Sequence, residues 1–276
     1  MNSTTPTTAA PLLSDLHALS TAKLQSFWHS IYTTYTPTQI EFFGSQAVQY
    51  TFFLLPAFFY TLLDLLFPAF SARHKIQGAK RQPTGREIVK AAKGSLGNMG
   101  IVTALLAGKF WWEQQGGGGG RTMFRIEEEL PTVREVLGGF MFAAAVREVT
   151  FYYLHRAFHH PRLYPHIHKL HHTFPVPTAF AAEYCTLTEH AFANVLPVIL
   201  GHIILHSHIV SAWVYIAHEV FHAVADHSGY DFFKLPHPTK WHDAHHERFR
   251  VSYGVYGVLD WVHGTHKVRD KKKKAL

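Results

Sequence analysis

Two short runs, His168-Lys-Leu-His171-His172 and His242-Asp-Ala-His245-His246, each place three imidazoles within five residues. Beside them stand His155-Arg-Ala-Phe-His159, with His160 adjoining, and the series His218, His222 and His227. On a helix, residues three or four apart share a face, so HxxxH offers two ring nitrogens to one point. HxxHH offers one residue that meets both members of a pair diverging by about 100°. Such a trio can touch two neighbouring metals at once, one histidine lying between them. Facing each other, the four sets supply about eight to ten nitrogens, too many for one four-coordinate zinc. They suit two metals of higher coordination number with positions left open for oxygen.

Imidazole binds Zn, Cu, Fe and Ni alike, so ligand type alone does not select the metal. The argument for iron is chemical: a two-metal centre set among apolar segments fits dioxygen activation against an inert C–H bond. Of 23 histidines, 18 fall within the 92 residues from His155 to His246, where ordinary composition gives roughly two. Core packing does not explain that density, because each buried ring needs partners for its polar atoms.

A rival motif overlaps the third set. His218-Glu219-Val220-Phe221-His222 reads H-E-x-x-H, two histidines on one helical face with Glu as general base, the pattern of zinc proteases. It leaves both HxxHH sets unexplained, and Asp226 and His227 do not continue it in the longer metzincin register.

The segments that must position these residues are apolar. Ala47–Phe70 holds about 24 residues broken only by Asp64 and two prolines, enough to cross a bilayer. Leu96–Trp112, Val136–Leu154 and Phe192–Phe221 follow, the last long enough for a hairpin turning near His206-Ser207-His208. Residues 71–93 carry seven Lys and Arg against Glu87, which places that loop in the cytoplasm. Counting onward, all the histidine sets emerge on the cytoplasmic side with the basic C-terminus. The chain ends in Lys271-Lys272-Lys273-Lys274-Ala275-Leu276, the dilysine arrangement of endoplasmic reticulum retrieval. Residues 1–40 show no basic region leading into a short apolar core, so no cleaved signal peptide is expected. With 276 residues, 47% hydrophobic, 16% charged and a net charge of +7, the chain is neither disordered nor a coiled coil. Its one cysteine, Cys185, excludes an internal disulfide and a Cys-based zinc or redox site. The expected fold is all-α: an integral membrane protein with about four transmembrane helices and a cytoplasmic helical cap around a histidine-rich dimetal centre.

The stretch from Phe151 to His266 resembles the fatty acid hydroxylase/sterol desaturase superfamily of membrane di-iron enzymes. The resemblance rests on FYYLHRAFHHPRLYPHIHKLHH, EHAFANVLP, DHSGYDF, WHDAHHERF and YGVYGVLDWVHGT. HSGY, HDxHH and GVLDxxHGT are most similar to the C-4 methylsterol oxidase branch. The resemblance implies metal ligation by His155, His159, His168, His171, His172, His227, His242, His245 and His246, and less securely by His222, where relatives carry Glu. Glu189 and Asp243 are the expected acceptors for the free ring N–H of bound histidines, with Asp226 and Glu183 as alternatives. It further implies two iron ions, with zinc able to replace them in recombinant protein, and electrons from NAD(P)H through cytochrome b5 or its reductase. The partners expected are a lipid, most simply a sterol, and the membrane itself, not nucleic acid. Departures occur at Tyr184-Cys185-Thr186-Leu187-Thr188-Glu189, which keeps the Glu but lacks the family's His and Pro, at Ser252-Tyr253-Gly254, and at Phe233. These bear on substrate more than on metal.

The expected outcome is C-4 methyl oxidation of a sterol in the endoplasmic reticulum membrane. Hydroxylation or desaturation of a fatty acid or sphingolipid stands as the alternative, with a membrane protease or a non-catalytic relative more remote. The chain divides into a polar entry (1–46), first membrane helices and loops (47–134), a catalytic domain (135–266) and a basic tail (267–276).

Overall fold

A computed structural model describes residues 9–78, 82–174, 176–232 and 238–267, with no β-strand among them. Phe233 and Lys271–Lys274 lie outside the described residues. α1 (Ala9–Thr34) leads to α2 (Pro37–Gln39), which runs through a π-helical turn, Ile40–Gly44, into α3 (Ser45–Leu66) and α4 (Pro68–His74). Then come α5 (Gly85–Gln114) and α6 (Val133–Phe158). α7 (Leu187–Glu189) continues through a second π-helical stretch, His190–Val195, into α8 (Leu196–Ile204). α9 (Ile209–Ser228), α10 (Pro238–Arg248) and α11 (Val258–Val262) complete the order.

The helix starts are written locally. Thr84 and Thr132 cap α5 and α6 by accepting from the backbone of Glu87 and Glu135. Glu87 also returns its carboxylate to the Thr84 backbone N–H, closing a capping box. α9 is the central helix, packed on α3, α6, α8 and α10. α6 and α8 approach closely at Gly201, where a Cβ would stand 2.5 Å from Ala143 Cα. Gly229 ends α9 at φ 75°, and a Cβ there would also strike Pro177 at 2.6 Å.

The expected hairpin is present, with α8 ending at Ile204 and α9 starting at Ile209. Two helical stretches, Pro37–Leu66 and Leu187–Ile204, are long and apolar enough to cross a membrane. Only 28% and 39% of their most apolar windows are buried inside the protein. The outward face of the first carries Leu55, Phe58, Phe59 and Leu62, each more than half exposed, and the second exposes Phe192 and Ile204. The expectation of about four spans is therefore met at two by this measure. The other runs are helical, but α5 is diluted by glycine and α6 carries Arg147 and Glu148.

Asp64, which interrupts the first apolar run, meets Lys75 at 2.7 Å with both side chains buried. Tyr230 donates to the other Asp64 oxygen at 2.9 Å, and Lys75 reaches Pro177 O at 3.2 Å. This knot ties the end of α3 to the turn after α9. Asp64→Ala leaves the ammonium buried and unpaired, and a loss of about 3–5 kcal/mol is expected in chemical unfolding. A change below 1 kcal/mol would show the pair to be incidental.

A candidate dimetal centre

Nine histidines converge in two groups, each with its ligand atoms within 4.8 Å of one another. One holds His155, His159, His168, His172 and His245; the other holds His171, His227, His242 and His246. α6 supplies His155, with His159 capping its end, and α9 supplies His227. α10 presents His242 and His246, one turn apart, to the second group, and His245 to the first. The earlier trio does the reverse: His168 and His172 enter the first group and His171 the second. No histidine is shared, contrary to the expectation of a residue between the metals. Nor is the first trio α-helical. His168–Leu170 lie in turns and His171–Thr173 in a 3-10 turn.

Hydrogen bonds fix which nitrogen faces inward in four of these rings. His155 Nδ1 donates to Tyr253 O, His245 Nδ1 to Val251 O and His227 Nδ1 to Ala223 O, each at 2.7 Å. His168 Nδ1 meets Glu189 Oε1 at the same distance, so Glu189 stands where an acceptor was expected. Thr186 builds that contact: it caps α7 by accepting from Glu189 N and donates to Ile167 O.

A neutral ring whose proton sits on Nδ1 presents a bare lone pair at Nε2. The Nε2 atoms of His155 and His168 face each other at 3.1 Å with neither proton between them. Protonation does not relieve this. Burial holds His155 down to about 4, and burial with the neighbouring His155 holds His159 to about 3. Burial, and after it the neighbouring histidines, keep His171, His172, His242, His245 and His246 well below the ordinary range. Converging neutral lone pairs call for a cation, and the residues fit one in each group. The close Nε2 pairs span 2.9–3.2 Å. For metal–nitrogen bonds near 2.1 Å, adjacent vertices of an octahedron lie about 3.0 Å apart and those of a tetrahedron about 3.4 Å. The spacing favours the higher coordination number, with vertices left over.

His222, expected as a ligand, falls outside both groups. Five residues along α9 put it about 140° round the helix from His227. Its ring instead stacks on His218 at 5.7 Å. Asp243 is buried on α10 and accepts from Gln77 at 2.8 Å, which ties the loop after α4 to that helix. Asp226 accepts from Thr239, and Glu183 pairs with His190 and Asn194. The H-E-x-x-H reading fails at Glu219, whose carboxylate is fully buried, ion-paired with Arg147 and bonded by Tyr256. It is not free to act as a base.

Glu148 and Asp260 had no expected role. Glu148 accepts from the backbone of Val255, Tyr256 and Leu259, and Asp260 from Tyr253 and Gly254. Together they shape the loop whose carbonyls orient His155 and His245. A charged Arg-Glu pair inside an apolar run was the available signal.

One cavity of about 300 Å³ opens onto both groups, reaching His155, His168, His171, His227 and His242. It extends between α3 and α5 past Gln46, Met99, Val102 and Leu106. Replacing Glu189 by Leu removes the acceptor for His168, and about a 10–100-fold loss of metal affinity is expected by competitive chelation. Unchanged affinity would make Glu189 a packing residue.

A family model for fatty acid hydroxylase matches residues 140–265. The human fatty acid hydroxylase domain-containing protein 2 is 31% identical over 256 residues, covering 87% of this chain and 72% of that protein. Methylsterol monooxygenase 1 of Rattus norvegicus is 28% identical over 266 residues, covering 90% and 86%. The fatty acid hydroxylase ahd1 of Mycosarcoma maydis is 30% identical over 202 residues, covering 72% and 51%. No solved structure matches the chain. The matched residues contain both nitrogen groups and the loop that orients them, and the alignments run through most of the remaining helices: the chain belongs to the fatty acid hydroxylase family.

Proposed function

We propose that the protein oxidises a membrane lipid with dioxygen at a di-iron centre, and that the lipid is a sterol intermediate carrying a C-4 methyl group. The observation that carries the reading is the pair of nitrogen groups opening onto one cavity that continues between α3 and α5. Two iron ions bound there would supply the reductive activation of dioxygen and the removal of hydrogen from an unactivated carbon.

The chain's own residues do the rest. Tyr253 O, Val251 O and Glu189 hold three rings with Nε2 inward, so the ligand field is set before substrate arrives. The Met99, Val102 and Leu106 wall excludes water and guides an apolar body toward the histidines. In this reading α3 and the α7–α8 stretch cross the endoplasmic reticulum membrane, the histidines face the cytoplasm, and electrons come from NAD(P)H through cytochrome b5. The outward apolar faces of those helices and the names of the methylsterol monooxygenase relatives support it. Retention of all nine histidines speaks against a non-catalytic relative.

A sterol and sphingolipid profile of cells with and without the gene tests the proposal. Deletion is expected to raise 4-methyl or 4,4-dimethyl sterols. Unchanged sterols with a missing hydroxylated acyl or sphingoid lipid would move the substrate to the class named in the human and fungal relatives.

A further inference from the structure

Of the two cavity-wall histidines outside both nitrogen groups, His190 is paired with Glu183, which leaves His222. It lines the same cavity as His171, His227 and His242. Its Nδ1 is buried with no hydrogen-bond partner. Its Nε2 stands 3.8 Å from Asp226 Oδ2, beyond hydrogen-bonding distance. A buried polar atom left unpaired is a standing cost, and one facing a cavity is relieved by whatever enters.

The neighbouring polar groups are already engaged. Glu219 is held by Arg147, Tyr256 and His218. Glu183 is held by His190 and Asn194, and Asp226 Oδ1 accepts from Thr239 at 2.8 Å. His222 is thus an open donor and acceptor on this wall, beside the second nitrogen group.

We propose that His222 recognises the substrate by hydrogen-bonding an oxygen close to the carbon that is oxidised. The five-residue step from His222 to His227 is a rise of about 7.5 Å along α9. Because His222 and His227 line the same cavity, one substrate can place an oxygen at His222 and present a nearby carbon to the second group. The 3-oxygen of a sterol has that relation to a 4-methyl carbon, three bonds away. Imidazole suits the task because its two tautomers accept from a hydroxyl or donate to a ketone with the same ring. The inference deepens the proposed function and rests on it.

The test uses full-length, iron-loaded protein in nanodiscs, with 4,4-dimethylcholestan-3β-ol and its 3-deoxy analogue as probes. Iron per chain, equilibrium binding and turnover are measured for the wild type, His222→Phe, His222→Gln and, as a ligand control, His227→Ala. His222→Phe is expected to keep wild-type iron content while weakening binding and raising KM for the 3-hydroxy sterol roughly tenfold to hundredfold. The 3-deoxy analogue should change by less than about threefold, and Gln should restore part of the loss. Loss of iron in His222→Phe to the level of His227→Ala would make His222 a ligand and overturn the inference. Equal weakening of both sterols would overturn it as well, since packing alone does that. A wild-type protein that binds and oxidises neither sterol would overturn the sterol reading, and with it the sterol form of the inference.

Discussion

Alanine at His171 is expected to leave one iron per chain, while alanine at the adjacent His172 leaves nearly two, and both variants lose turnover. The residues are neighbours in sequence but serve different groups. Removing His171 cuts the second group from four nitrogens to three; removing His172 cuts the first from five to four. Four imidazoles still hold a divalent ion well, whereas three leave half of an octahedron to solvent. Turnover should fall in both beyond the roughly 10–100-fold typical of partners that only orient a ligand. Iron per chain by elemental analysis, read beside protein abundance in the membrane, decides it. Equal iron loss in the two variants would mean that the groups are one site. Disappearance of the protein itself would give the histidines a structural role.

The second large effect is acid lability of the chelated, metal-free chain. Its clustered histidines are neutral when folded, with His155 held to about 4 and His159 to about 3 by burial. In the unfolded chain each takes up a proton near pH 6.5. Below that pH the unfolded state therefore binds more protons, and stability falls as pH falls. The stabilisation is complete above about pH 6.5 and is lost progressively toward the folded values. Each such group contributes up to about 1.4 kcal/mol per pH unit, so several acting together give a steep transition. Thermal unfolding of chelated protein should show a marked drop in midpoint between pH 7 and 5. Bound metal acts in the same direction, because protons compete for the same Nε2 atoms. A midpoint that stays flat across that range would show that the rings are solvated rather than buried.

Both results bear on what the residue pattern made legible. The spacing of His242, His245 and His246 announced a helical face, and α10 is that helix. Glu189 was legible because bound imidazoles need an acceptor and few carboxylates lie nearby. That each trio reaches two sites was legible too; which member joins which group, and that none is shared, was not, since it depends on where α10 sits against the 168–172 turn, a long-range matter. His222 stood behind His227 as a ligand because relatives carry Glu there, and the turn of α9 separates the two. The acceptors Tyr253 O and Val251 O belong to the backbone and carry no side-chain signal. The apolar runs located the helices, but Arg147 and Glu148 read as interruptions until Glu148 was found gripping the 255–259 loop.

The interlocking of the two trios also bears on the chain as a polymer. In the first group His159 meets His245 across 86 residues, and in the second His171 meets His227 across 56. Each bound ion is therefore a cross-link that closes a long loop, in a chain whose lone cysteine forbids any covalent one. By analogy with disulfides, closing loops of this length removes about 4 kcal/mol of unfolded-chain entropy apiece. Ions held by the two groups would thus also staple α10 to the first half of the domain.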